Sequence, residues 1–349
     1  MSRYRKCLPQ LGQSVFLTDG ELENTVSLQC GMDVPGLAAF DLLRHTTGCS
    51  ALNAYFARYA ALACSHGLGL VLESATSRAN SDWGAILGYD AKALAQARRR
   101  AIELLLEIRA SFETADTEIV ISGSVGPRTD GYNPSLRMSA YEAAYYHAPA
   151  IETFAQTDAD MVTARAMSYV DEASGIALVA SAYAIPVVIS LRPGPSGRLL
   201  SGDTLADAIA RIDHETQRHP AYYIIECTHA SQLFEMLGQG GAWLQRIRGV
   251  RLTRSHSRLD LGDAQALARQ YRMLSSVLPD LTVIGTEYDG VDAIDEAGAA
   301  AALASSGELH LRQPYSTEFV ISAPRGRSGP ALMRSGSVAA EELSTSLSG

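Results

Sequence analysis

The sequence predicts an α/β fold, a parallel eight-stranded (β/α)8 or TIM barrel. Three observations lead there. Eight short apolar runs recur through roughly the first 290 residues. Amphipathic segments of helical period lie between them. No Gly-x-Gly-x-x-Gly follows the first run, so nothing favours a dinucleotide-binding sheet. A doubly wound open sheet is the competing topology.

The runs are Ser14–Gly20, Gly67–Ser74, Glu118–Pro127, Ala159–Ser168, Ile185–Gly194, Ala221–His229, Ile247–Ser255 and Leu281–Gly290. Each is near-continuously apolar, as expected of strands buried on both faces. Between them, Asp90–Ser111 is strongly amphipathic and opens on an Asp able to cap a helix. Ser139–Gln156, Asp171–Ala184 and Thr204–Arg218 follow the same pattern. Thr76–Asp90 falls outside the alternation and is expected to be a long loop. The barrel is expected over residues 1–312. Residues 313–349, rich in Ser, Gly, Ala and Arg, are expected to form a partly disordered tail.

Composition narrows the function. Net charge is −9, which disfavours nucleic acid and anionic membrane as partners. No apolar run is long enough to span a bilayer, and the opening MSRYRKCLPQ has no signal core. Five scattered cysteines form no disulfide framework and no zinc knuckle, which points to the cytoplasm. The expected partner is a small molecule, and the apolar helices permit a homodimer.

Barrel enzymes carry their working groups at the C-terminal ends of strands, and these ends are polar here. They supply Asp19, Glu21 and Glu73, then Arg165 and Arg192, then Glu226, Cys227 and His229, then Arg251, Arg254 and His256, and last Glu287, Tyr288 and Asp289. Each has a plain alternative. Strand ends are polar in any barrel, Cys227 suits a buried filler, and Glu287 could form a structural ion pair with Arg254 or Arg251.

The residues resemble the homocysteine S-methyltransferase family from about Phe16 to Ile294. The resemblance rests on LTDGELENT (17–25), GLAAFDLL (36–43), VLESATSRANSDWGAILGYD (71–90), ISGSVGPRTDGY (121–132) and ADMVTARAMSYVDEASGIA (159–177). It continues in IPVVISLRPGPSGRLLSGDTLADAI (185–209), PAYYIIECTHA (220–230) and IRGVRLTRSHSRLD (247–260). It implies a barrel that moves a methyl group from a sulfonium or related donor to homocysteine, on zinc held by three cysteines. One of those follows strand six and corresponds to Cys227. The other two, adjacent at strand eight, correspond to Glu287 and Tyr288. Two thiolate ligands are therefore replaced, and no bound metal is expected, although one Cys with a carboxylate is a conceivable zinc site.

Other replacements also gather at strand ends. The family's Asp-Gly-Gly becomes Asp19-Gly20-Glu21, its Asn before the strand-six Cys becomes Glu226, and Arg165, Arg192 and Arg254 are introduced. The expectation is a zinc-independent transferase moving a methyl or alkyl group. The donor would be S-adenosylmethionine or another sulfonium, and the acceptor small and amino-acid-like or carboxylate-bearing. Glu287, Tyr288, Glu226 and Cys227 are the candidate catalytic residues. Asp19, Glu21, Glu73, Arg165, Arg192 and Arg254 are the candidate binding residues. A repurposed lyase, isomerase or cyclase on the same barrel, and a non-catalytic binding protein, are the alternatives.

Overall fold

A computed structural model describes residues 2–20, 22–31, 34–129, 137–227, 230–238, 240–253 and 264–287. The expected tail over 313–349 lies outside them. The described elements run β1 (Phe16–Thr18), α1 (Leu22–Cys30), α2 (Thr46–His66), β2 (Gly69–Glu73), α3 (Ser81–Ile86), α4 (Ala91–Phe112), β3 (Ile119–Val125) and α5 (Ala140–Ala155). They continue as β4 (Met161–Met167), α6 (Val170–Ala182), β5 (Val187–Leu191), α7 (Leu205–Glu215), β6 (Tyr222–Cys227), α8 (Ala230–Leu237), β7 (Ile247–Thr253), α9 (Ala264–Ser275) and β8 (Val283–Glu287).

The strands pair in sequence order into a closed parallel barrel. Closure is made by Phe16 opposite Val283 and Leu17 opposite Ile284. Every one of the eight apolar runs contains a strand, and the competing open sheet is excluded because β1 and β8 pair.

Local signals set the helix starts. Asp90 caps α4 by accepting from Ala93 N, and Thr204 caps α7 by accepting from Asp207 N. Ser139 and Glu142 form a reciprocal capping box on α5. The segment expected to be a loop, Thr76–Asp90, contains α3, capped by Asn80 through Trp83 N. Six residues are too few for an amphipathic period to register, so the cap was its one legible mark.

Alternation along the strands separates two layers. Leu17, Leu70, Leu72, Ile119, Ile121, Val162, Ile189, Tyr223, Ile225 and Val250 belong to the apolar layer between sheet and helices. Their neighbours turn into the lumen. Its lower part is apolar, with Phe16, Val71, Val120, Val188 and Ile224 all buried. Its upper part is polar and forms the site described below.

The N-terminal face is closed by the first residues of the chain. Asp160, fully buried before β4, accepts from Arg3 N, Tyr4 N, Ile121 N and Arg109 Nη1 at 2.7 to 2.9 Å. Arg5 donates to the carbonyls of Ala155, Thr157 and Ala159 at the end of α5. The helices of the described residues include none long and apolar enough to cross a membrane.

Asp160→Ala removes four acceptor contacts and strands the Arg109 charge. We expect a loss of about 3–5 kcal/mol, read as a lowered urea midpoint with an unchanged slope.

Candidate active site

The C-terminal ends of the strands place a chain of alternating charges across the lumen. Arg251 of β7 lies at its centre with no solvent exposure. Its Nη2 meets Glu73 Oε1 of β2 at 2.5 Å, its Nε donates to Thr18 Oγ1 of β1 at 3.3 Å, and its Nη1 lies 3.8 Å from Glu226 Oε1 of β6. Glu73 Oε2 is 3.3 Å from Arg165 Nε of β4. Glu226 Oε2 is held by Arg192, just past β5, at 2.6 and 2.7 Å. The chain reads Arg165, Glu73, Arg251, Glu226, Arg192. Its interior is shielded from bulk solvent, while the side chains of Arg165 and Arg192 at its two ends are 15% and 27% exposed.

Backbone features permit this arrangement. Gly285 of β8 leaves the room that Thr18 Oγ1 occupies, since a Cβ there would collide with that hydroxyl and crowd the Arg251 stem. A register shift in β4 puts Ala166 at φ +54°, a left-handed conformation unfavourable for a residue with a Cβ. That turn aims the Ala166 N–H at Glu226 Oε1, 3.1 Å away, beside the Ser190 hydroxyl at 2.6 Å. The strain is spent on binding a carboxylate.

Electrostatics separate the carboxylates. Burial pushes the Glu226 carboxyl upward, but Arg192, Arg165 and Arg251 together with the Ser190 hydroxyl outweigh it and hold it at about 2. Asp19, just past β1, moves the other way. Burial and then Glu73 push it up to about 7, against Arg165, the Glu73 N–H and Arg251. Two buried carboxyl groups in one lumen therefore have opposite proton affinities.

The sequence-predicted residues Asp19, Glu73, Arg165, Arg192 and Glu226 are brought together. Cys227, next along β6, is buried in the outer apolar layer with Tyr223 and Ile225. Glu287 is the last residue of β8, its backbone opposite Thr253. Glu21, Arg254, Tyr288, Asp289, His229 and His256 lie outside the described residues. Sequence reading missed Thr18 and the α2 tyrosines Tyr55 and Tyr59. Thr18 was legible as the strand residue two before Gly20. Nothing marked Tyr55 and Tyr59, which approach the β1 end from a helix.

The donor set does not match a three-thiolate zinc cage. Cys227 is the one cysteine at a strand end, and among the described residues no three His, Cys, Asp or Glu side chains gather as metal ligands. Glu73 and Glu226 are both engaged by guanidiniums.

Removing the central charge tests this network. Arg251→Met leaves the buried Glu73 and Glu226 short of a cation, and we expect a loss of about 3–5 kcal/mol by chemical denaturation. Glu226 gives a pH signature. Its folded pKa is depressed, so its contribution is complete above the ordinary carboxylate range and disappears as pH falls from about 4.5 towards about 2. Glu226→Gln should abolish that limb of the acid-unfolding curve.

Comparisons with known proteins bear on the fold and the family. The sequence matches the homocysteine S-methyltransferase family over residues 17–261. No curated protein sequence matches the chain. Among solved structures, the metallated form of the homocysteine methyltransferase MmuM from Escherichia coli aligns with TM-score 0.66 at 17% identity, over 83% of this chain and 96% of that one. The oxidized form of the same protein gives 0.69 at 16% identity, over 86% and 99%. These likenesses show a common barrel. The family match covers most of the chain, and the chain belongs to the homocysteine S-methyltransferase family, a family of methyl-transferring enzymes.

Proposed function

We propose that this family member transfers a methyl or other alkyl group from a sulfonium donor, such as S-adenosylmethionine, to a small carboxylate-bearing acceptor without zinc. The observation that carries the proposal is the pair of partly exposed guanidiniums, Arg165 and Arg192, backed by buried carboxylates at the barrel mouth. Guanidinium groups at a barrel mouth suit a carboxylate ligand, which they can bind by paired, charge-assisted hydrogen bonds. Arg254 and Glu21 are assigned to the same ligand by their place in the sequence.

The chemistry is a displacement. A lone pair on the acceptor forms the new bond to the alkyl carbon. The carbon–sulfur bond of the sulfonium breaks, and its electrons neutralise the donor sulfur as a thioether. Attack by a neutral acceptor leaves one proton to be removed. Glu226 is a poor base at neutral pH because its anion is so well held, so we assign it to positioning Arg192 and Arg251. Glu287, at the end of β8, is assigned the proton, with Tyr288 beside it. A free thiol acceptor is only a few per cent thiolate near neutrality, and without zinc that base is required. Cys227 is assigned a packing role, in keeping with its apolar surroundings. Positioning two reactants then supplies most of the acceleration.

A second function has one observation in its favour. Carboxyl groups with pKa values near 2 and near 7 in one lumen also suit acid–base chemistry, as in a lyase or isomerase. The two differ in product mass. The described cysteines Cys7, Cys49, Cys64 and Cys227 form no disulfide among themselves, which supports a reducing compartment such as the cytoplasm.

Chelator-treated protein should transfer label from methyl-labelled S-adenosylmethionine or S-methylmethionine to an acceptor from a panel of small thiols, amines and carboxylates. Each acceptor should gain one methyl mass. A product of unchanged methyl count would favour the acid–base alternative, and no donor-dependent product would remove the proposal. Arg192→Leu should raise the acceptor KM about tenfold or more while leaving the donor KM within about twofold.

A further inference from the structure

Hydroxyl groups in the polar part of the lumen are committed to one another and to the ion pairs. Ser122 of β3 and Thr163 of β4 share a hydrogen bond of 2.7 Å, Ser190 of β5 donates to Glu226, and Thr18 of β1 accepts from Arg251. Ser124, the next lumen-facing residue of β3, differs. It is 2% exposed, yet its Oγ makes no hydrogen bond among the described residues. Its direction follows from its neighbours on the strand. A Cβ on Gly123 would strike Phe154 of α5, and Val125 packs in the outer apolar layer, so Ser124 between them turns inward. A buried hydroxyl without a protein partner costs stability, and the loss is recovered when a ligand supplies the partner.

The backbone at Ser124 is clamped by a closed ring of hydrogen bonds. Its N–H donates to Ser74 Oγ at 2.9 Å, the Ser74 and Thr76 hydroxyls lie 2.7 Å apart, and Thr76 Oγ1 donates to the Ser124 carbonyl at 2.8 Å. Thr76 spends its proton on that carbonyl, so Ser74 donates to Thr76 Oγ1. The segment after β2 thus fixes the backbone of Ser124 and leaves its side chain unspent. A donor held in place before the ligand arrives is what a binding site needs.

We infer that Ser124 is a specificity-determining residue of the acceptor site, its hydroxyl donating to one oxygen of the carboxylate that Arg165 receives. This rests on the proposal above that the barrel mouth binds a carboxylate group.

The strand register places the two groups side by side. Glu73 of β2 is opposite Ser122, and Thr163 of β4 is opposite Ser124, so Arg165 is the next lumen-facing residue of β4 beyond Ser124. The contact of 3.3 Å between Glu73 and Arg165 spans β3 on the lumen side, where Ser124 lies. A guanidinium and a hydroxyl on adjacent strands can address the two oxygens of one carboxylate, and an O–H donating to an anion is among the stronger hydrogen bonds. An ammonium in the same place would meet the Arg165 charge, so the hydroxyl acts there as donor and not as acceptor.

The test is calorimetric titration of the whole chain, at constant pH, with 4-(methylthio)butanoate, a monoanion, and with its neutral amide. The native protein should prefer the anion. Ser124→Ala should weaken the anion about tenfold or more and reduce its preference over the amide. Ser124→Cys, close in size and a weak donor, should bind like Ser124→Ala. Ser124→Ala keeps the backbone ring, so its urea midpoint should equal or exceed the native one, whereas Ser122→Ala, which breaks the pair with Thr163, should lower it. A native preference for the anion with Ser124→Ala affinity unchanged to about twofold would overturn the role of Ser124 and leave the carboxylate site standing. Equal losses for anion and amide, or a midpoint lowered as far as in Ser122→Ala, would do the same. No preference for the anion in the native protein would overturn both.

Discussion

A guanidinium with no access to water lies at the centre of this barrel, and the upper lumen is arranged around it. Arg251 contacts Glu73, Glu226 and Thr18, residues from three other strands. Burying a charge costs several kcal/mol unless good partners surround it. The requirement explains details that look unrelated in isolation. A glycine stands at 285 because a Cβ would strike Thr18 Oγ1, the hydroxyl that accepts from Arg251, and crowd the Arg251 stem. Ala166 accepts a left-handed backbone because its N–H then reaches Glu226. Ser190 turns its hydroxyl inward to the same carboxylate. A side chain so constrained is a rigid floor, and rigidity is what a site needs if its groups are to meet a ligand already oriented.

The two ends of the barrel divide the work. At the N-terminal face, Asp160, Arg109 and the first residues of the chain are joined by hydrogen bonds around a buried carboxylate. At the C-terminal face the ion-pair chain opens outward through Arg165 and Arg192. Stability at one end and chemistry at the other is the ordinary logic of such barrels. Here that end is lined by guanidiniums and carboxylates, where the family resemblance implies thiolates. A soft metal site recognises and activates sulfur, whereas a charged lumen recognises charge.

Glu226 and Asp19 illustrate how one lumen produces two kinds of carboxyl group. Both are buried, and burial alone would raise both. Glu226 is surrounded by guanidiniums, a hydroxyl and a backbone N–H, and it remains an anion. Asp19 is beside Glu73 and holds one hydrogen bond, and it retains affinity for a proton. Their difference comes from neighbours supplied by other strands, not from residue type.

The barrel itself was legible from the amino-acid order, because strands buried on both faces must be apolar throughout and helices between them must be amphipathic. Each of the eight runs contains a strand, and the caps Asp90, Ser139 and Thr204 lie where local hydrogen bonding placed them. Position at a strand end also sufficed to nominate Asp19, Glu73, Arg165, Arg192 and Glu226. The sequence could not say which of the neighbours Glu226 and Cys227 faces the lumen, because that depends on the strand's register in the closed barrel, where a shift of one residue exchanges the two faces. Nor could it pair Arg251 with Glu73, far apart in the chain, or bring Tyr55 to the end of β1. Those relations arise only when closure brings strands from both ends of the chain around a common axis, and long-range charge interactions within that closed lumen then decide which groups carry protons.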